Sequence, residues 1–342
     1  MREWIGRLGL TVVAVALGLA ALEIGLRATY GTLFDWSNLV LNARQVLAET
    51  EGSRFVEDPL LGYEPRPGYG VPGMSFDREG FRRTADVTGG DAILAVGDSY
   101  TYGDEVSDSE TWPAHLQRLT GTRVLNAGVS GYGFDQIVLR AEKVAAQRKL
   151  SAIVVGFIAD DLRRTEMRRL WGAEKPYFDI AGDRLVLRNV PVPPRPDAGA
   201  TLGLWQRALG HSLLFDFVLR RLDLLHNWFG DHIRVHAEGD GERIACLLTG
   251  RLAELRRLSG ARVLVMAQYD PMVWREPRFA DEQRRITQAV LGCARRAGLD
   301  VLDTFEPLSK AEPKGLYDRW HMNDAGNKLI ASLVATALAA GH

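Results

Sequence analysis

Ile93-Leu94-Ala95-Val96-Gly97-Asp98-Ser99-Tyr100-Thr101-Tyr102-Gly103 is the stretch on which the reading of this chain turns. It opens as an apolar run and breaks at once into Gly, Asp and Ser, the pattern of a buried parallel strand meeting the loop before a helix. In open α/β sheets ligands gather outside the carboxyl ends of such strands, so Ser99 is placed to face a substrate. A serine at a strand end also serves simply as a helix cap. What separates the two readings is the company that Ser99 keeps further along.

Outward from this run, apolar strand candidates recur at Ala92–Val96, Arg123–Asn126, Ala152–Phe157, Arg262–Ala267 and Asp300–Leu302. Between them lie helical patterns. Ile244, Leu247, Leu248, Leu252 and Leu255 keep helical spacing, as do Ile286, Val290, Cys293 and Ala297. Leu329, Ile330, Leu333, Val334 and Leu338 make a terminal helix with Asn323 or Asp324 as its cap. Strand–helix alternation predicts a mostly parallel sheet covered on both faces, a flavodoxin-like three-layer α/β/α sandwich of about five strands.

Two further stretches share the strand-end setting: Asn126-Ala127-Gly128-Val129-Ser130-Gly131, and Asp318-Arg319-Trp320-His321 before the terminal helix. Acyl transfer from an ester needs a nucleophile, a base, a group that orients the base, and donors for the oxyanion. Ser99 supplies a hydroxyl. His321 is the candidate base, since imidazole is the side chain that titrates near neutral pH without special tuning. Asp318, three residues earlier, can reach the far ring nitrogen, and a local pair costs little chain entropy to assemble.

With GDSYTYG, these stretches resemble the sequence blocks of the GDSL, or SGNH, hydrolases, in order and from about Ile93 to the C-terminus. The resemblance implies the same sandwich fold, Ser99 as nucleophile, and the backbone N–H groups of Ser99 and Gly131 as oxyanion donors. Gly128 and Gly133 are rivals of Gly131 for that role. One block departs. Where the family has Gly-x-Asn-Asp, this chain reads Ile158-Ala159-Asp160-Asp161. Asp160 stands in place of an asparagine donor, and an ionised carboxylate donates nothing. It either acts protonated or turns away toward substrate or an arginine such as Arg163.

The 342 residues are 46% hydrophobic and 25% charged, with a net charge of −1. This is globular composition without the basic excess of a nucleic-acid-binding module. No metal-ligand motif or phosphate-cradling lysine loop is visible, so no cofactor is expected. Cys246 and Cys293 are too few for a disulfide scaffold; we expect two small core residues, with a single bridge between neighbouring helices the other reading.

Leu8 to Leu22 is an unbroken run of apolar, Gly and Thr residues after Arg2 and Arg7. It fits an uncleaved, single-pass membrane anchor with a cytoplasmic N-terminus better than a cleaved signal or a core helix. On this basis residues 1–29 are the anchor or signal segment, 30–90 a stalk and N-terminal extension, and 91–342 the catalytic domain, interrupted by an insertion at about 163–240. Turn signals at Pro59, Pro65-Arg66-Pro67-Gly68, Pro72-Gly73 and Gly89-Gly90 punctuate the extension. Within the insertion, Asp179–Asn189 reads as a hairpin turning at Ala181-Gly182-Asp183, Pro191–Pro196 as a Pro-rich run, and Leu202–Phe229 as an apolar helical stretch. Its arginines, Arg163, Arg164, Arg168 and Arg169, read as a solvated face, and the whole as a segment packed on the domain, or as a lid or membrane-surface contact.

The expected function is that of an extracytoplasmic serine esterase at the inner membrane, facing the periplasm or cell exterior, removing O-acyl or O-acetyl groups from cell-envelope glycans or cleaving small esters. The alternatives are an O-acetyltransferase using the same residues and a non-catalytic glycan-binding module. Oligomeric state is not readable from the sequence.

Overall fold

The computed structural model describes residues 2–85, 90–182, 184–194 and 202–340. Gly89, Asp183, Arg195 and Pro196, each part of a turn or Pro-rich segment noted above, lie outside them. The chain forms two compact units: residues 53–195 with 233–342, and residues 1–52 with 196–232.

The first unit is built on five parallel strands: β1 (Ala92–Val96), β2 (Val124–Asn126), β3 (Leu150–Phe157), β4 (Arg262–Ala267) and β5 (Asp300–Asp303). Their order is β5-β4-β3-β1-β2. The chain leaves β1 toward β2 and returns to the other side of β1 as β3, so the topological switch point falls between β1 and β3. The carboxyl ends of these two strands carry Ser99 and Asp160. β1 is buried along its whole length, as a strand covered on both faces must be.

Helices α1 (Ser99–Tyr102), α2 (Trp112–Thr120), α3 (Phe134–Ala145), α4 (Ala159–Thr165), α5 (Asp240–Ser259), α6 (Pro277–Arg296) and α7 (Asp324–Ala339) complete the sandwich. α2 packs on α7, and α3, α4 and α6 pack on α5. Asn323 caps α7 by accepting the Gly326 N–H (3.1 Å). His115, on α2, is buried and bonds Asp324 at 2.8 Å, tying α2 to α7. Cys246 and Cys293 form a disulfide between α5 and α6 with a Cα–Cα distance of 5.3 Å. This corrects the expectation of two separate core residues, because α5 and α6 are direct neighbours.

Before the sheet, the extension forms two hairpins, Phe55–Asp58 with Gly62–Pro65 and Gly70–Val71 with Met74–Ser75. Arg82 then bridges the edge strand, its N–H donating to Asn126 O (2.9 Å). Between α4 and α5 lie a small sheet of Met167–Leu170, Ala173–Glu174 and Ile233–Arg234, and the expected hairpin, Tyr177–Ala181 with Arg184–Arg188.

The second unit contains the apolar helix Arg2–Thr29, all but the last two residues of a helix Leu39–Arg54, and three short helices, Leu204–Leu209, Leu213–Arg221 and Leu225–Phe229. Residues 7–29 are long and apolar enough to cross a membrane, with a mean hydropathy of 2.1. Leu39–Arg54 was not expected: its apolar residues make no stripe in the sequence.

Candidate active site

Ser99 is the first residue of α1, directly after β1. Asp98 caps that helix, accepting the Tyr100 N–H at 3.0 Å, and Gly103 ends it in the left-handed conformation at φ 88°. Gly97 admits no side chain: a Cβ there would lie 2.1 Å from Thr101 Oγ1 and 2.9 Å from Gly156 O. The tight strand-to-helix turn that presents Ser99 therefore depends on this glycine.

Ser99 Oγ lies 3.0 Å from His321 Nε2 and 3.3 Å from Asp98 Oδ2. The candidate nucleophile and candidate base, 222 positions apart, thus meet at hydrogen-bond distance. Tyr100 holds the histidine loop, its hydroxyl donating to Trp320 O at 2.9 Å and its ring lying 5.2 Å from the imidazole. Burial raises the pKa of Tyr100 well above the usual tyrosine value, which keeps that hydroxyl a donor.

Asp318 is not brought to His321 Nδ1. The turn is closed by its backbone, Asp318 N–H donating to His321 O (3.2 Å) beside a Tyr317–Met322 bridge, and Asp318 itself is exposed. It lines a cleft of about 200 Å³ with Pro271, Trp274, Arg275, Lys314 and Tyr317. The carboxylate facing Nδ1 belongs to Glu105, whose Oε1 is 3.5 Å away. Glu105 Oε2 accepts the N–H groups of Trp320 and His321, each at 3.3 Å. Burial raises the Glu105 pKa, but the Trp320 N–H and the His321 charge outweigh it and hold the carboxyl below its usual value. Sequence reasoning missed Glu105. The only available signal was an acid close behind the nucleophile block.

Gly131 sits at φ 81°, and a Cβ there would meet Trp171 Cδ1 at 2.8 Å. Its loop is fixed by Ser130 Oγ donating to Asp104 Oδ2 (2.5 Å) and by Tyr63 donating to Ser130 O (2.9 Å). Gly128 packs on α1 so closely that a Cβ would lie 2.2 Å from Tyr102 N. Among the described residues, neither the Ser99 nor the Gly131 N–H has a hydrogen-bond acceptor.

Asp160 is bound by two arginines: Arg163 Nε reaches Oδ1 at 2.6 Å and Arg164 reaches Oδ2 at 2.9 Å. Burial opposes its ionisation, but the charges and hydrogen bonds of Arg164 and Arg163 bring its pKa down to about 2. It is therefore an anion at neutral pH and offers no proton to an oxyanion. Arg164 is not on a solvated face as expected. It is buried, donates to Tyr132 O (3.0 Å) and Asp161 (2.8 Å), and lies 3.6 Å from Asp98. Burial pushes both Asp98 and Asp161 up, and the Arg164 charge opposes it.

Arg82 is the second residue missed. It is buried and donates to Asp108 (2.8 Å), Tyr102 O (2.7 Å), Gly103 O and Val106 O (2.6 Å). It thereby clamps the end of α1 and the loop that carries Glu105. Among the described residues, His226, Asp231 and His232, in the second unit, are the group whose ligand-type atoms lie within 4.8 Å of one another; the chemistry at Ser99 uses none of them.

The GDSL-like lipase/acylhydrolase family model matches residues 95–329. No curated protein matches the chain. Among solved structures it is similar to a lipolytic G-D-S-L protein from Veillonella parvula (12% identity, 72% of this chain and 97% of that one, TM-score 0.41). It is also similar to an α/β hydrolase from the Lake Arreo metagenome (16%, 74% and 97%, 0.44) and to an acetyl xylan esterase from Geobacillus stearothermophilus (13%, 74% and 96%, 0.43). The family match spans β1 to α7 and so takes in both Ser99 and His321: the chain belongs to the GDSL-like lipase/acylhydrolase family, hydrolases of ester bonds.

Proposed function

We propose that this protein is a membrane-anchored, extracytoplasmic serine esterase that removes O-acyl groups, acetyl foremost, from cell-envelope glycans. The observation that carries the reading is the 3.0 Å contact between Ser99 Oγ and His321 Nε2, with the Ser99 and Gly131 amides unengaged. In this reading Ser99 Oγ attacks the ester carbonyl carbon while its proton passes to Nε2. The two amides hold the resulting oxyanion. His321 then protonates the departing sugar oxygen, leaving acyl-Ser99. Water attacks that acyl group, gives a proton to Nε2, and releases the acid as the proton returns to Oγ.

Glu105 is the proposed partner of the Nδ1–H; Asp318, the acid of the family's motif, is the second candidate. The cleft beside the histidine loop supports a polar substrate, since it joins the rings of Trp274 and Tyr317 to the charges of Arg275, Lys314 and Asp318. Arg2 and Arg7 ahead of the apolar run Leu8 to Leu22 support a cytoplasmic N-terminus, and the Cys246–Cys293 disulfide supports an oxidising compartment.

The test uses the full chain in detergent with a fluorophosphonate probe and p-nitrophenyl acetate, beside Ser99→Ala. Wild type is expected to label and turn over, and the variant to do neither. Equal labelling and turnover in both would end the reading. Acetyl delivered to an added oligosaccharide instead of water would reassign the enzyme as a transferase.

A further inference from the structure

Glu23 lies inside the apolar helix, yet its carboxylate is spent on another segment. It accepts the N–H groups of Leu213 and Leu214, each at 2.8 Å, and the Ser212 hydroxyl at 2.9 Å. It therefore caps the helix Leu213–Arg221 across 190 residues of sequence. Arg27, one turn on and buried, pairs with Glu23 (2.6 Å), donates to His211 O and Asp35 O, and lies 3.8 Å over the Trp36 ring. Leu39 N–H to Gly210 O (2.8 Å) and Asn38 to Gln206 O (2.9 Å) extend the same seam. All of these contacts lie within one compact unit.

The level of that seam follows from helix geometry. At about 1.5 Å per residue, Glu23 stands about 24 Å along the helix from Arg7, while a hydrocarbon core is about 30 Å thick. A carboxylate at that depth needs partners, and residues 212–214 supply them. A segment that reaches Glu23 has to enter the membrane's interfacial layer. Its surface fits that layer. Leu204 and Trp205 are 77% and 68% exposed, Phe217 and Leu222 are exposed, and so are Phe34 (92%) and Trp36 beside them. Arg207 and Arg221 stand among these residues. Aromatic residues with apolar and basic neighbours are the composition of helices lying in a headgroup layer.

We infer that residues 204–222 form an interfacial platform, seated in the outer leaflet of the same bilayer that the N-terminal helix crosses and locked to that helix by Glu23 and Arg27. The platform rests on the proposed anchor, and one experiment separates the two. The full chain is reconstituted in phosphatidylethanolamine/phosphatidylglycerol vesicles with a nitroxide on Leu204→Cys, Leu222→Cys, Phe34→Cys, Val13→Cys or Glu254→Cys. Accessibility to oxygen is compared with that to a water-soluble nickel chelate.

Positions 204, 222 and 34 are expected to give oxygen-to-nickel ratios several-fold above exposed position 254, at a depth of about 5–10 Å. Position 13 should lie deeper still. Position 13 in lipid with 204 and 222 in water overturns the platform and leaves the anchor standing. Position 13 in water overturns the anchor itself. Labels at 204 and 222 shielded from both reagents, with spin–spin broadening between copies, assign the face to a second copy of the chain and overturn the platform.

Discussion

Glu105 Oε1 lies 3.5 Å from His321 Nδ1, while the other oxygen of the same carboxylate accepts the backbone N–H of His321. Glu105 reaches this position from a left-handed backbone at φ 70°, a conformation that costs a residue with a Cβ about 1–2 kcal/mol. Non-glycine strain of this kind clusters where function holds it in place. The 3.5 Å separation is longer than a hydrogen bond, and such contacts tighten when substrate is bound. We predict that Glu105→Gln lowers kcat by about 10²–10⁴-fold with little change in KM, as loss of a triad carboxylate does. Asp318→Asn should stay within a few-fold of wild type. Steady-state kinetics on p-nitrophenyl acetate decide it, and the reverse pattern returns the role to Asp318.

Asp160 gives a second prediction. Because Arg163 and Arg164 hold it ionised, Asp160→Asn should bring no gain in turnover, and it removes a carboxylate that stabilises the fold. The folded-state pKa of about 2 lies below the usual 3.8, so this stabilisation is complete above pH 3.8 and is lost as pH falls toward 2. Urea unfolding at pH 7, 4 and 3 should show wild type more stable than the variant at pH 7, with the gap narrowing at pH 3. Faster turnover in the variant would place the side chain at the oxyanion instead.

The strands were legible because a strand buried on both faces needs only a continuous apolar run, and Ala92–Val96 and Arg262–Ala267 fall where such runs lie. β3 begins two residues before its expected start because its backbone pairing with β1 extends to Leu150, opposite Ala92. Ser99 and His321 were legible as members of short blocks. Glu105 was not, since its reach depends on a left-handed turn two residues beyond Gly103 that no residue type announces. The Asp-x-x-His spacing pointed to Asp318 instead, but spacing does not fix the side a side chain takes in a tight turn. Arg82 was hidden for a related reason. A lone arginine in a loop reads as solvated until the carbonyls it serves are seen.

Those carbonyls make Arg82 a candidate positioning residue for the proposed nucleophile. Tyr102 O and Gly103 O end α1, Val106 O follows Glu105, and Asp108 balances the charge. Arg82→Lys keeps one cation but lacks the planar fork that serves several acceptors together. Each buried acceptor left without a donor costs about 1–3 kcal/mol. We expect Arg82→Lys to lower kcat by at least ten-fold at unchanged KM while still folding, with Arg82→Ala further destabilised in urea. An Arg82→Lys variant with wild-type kcat would show that the extension does not set the geometry of Ser99.

The disulfide carries the last prediction. Cys246 and Cys293 are 47 positions apart and join α5 to α6, with β4 between them in the chain. Closing a loop of that length restricts the unfolded chain by about 4 kcal/mol in the chain-entropy model, and removing native bridges typically costs about 2–5 kcal/mol. Cys246→Ala with Cys293→Ala should therefore lower unfolding stability by several kcal/mol in urea, and dithiothreitol should lower wild type by a similar amount while leaving the double variant unmoved. The bridge joins α5 to α6 and bonds neither Ser99 nor His321, so the folded variant should keep its kcat. If reductant leaves wild type as stable as before, the two cysteines are not bonded in solution, and the bond no longer supports an oxidising location for this unit.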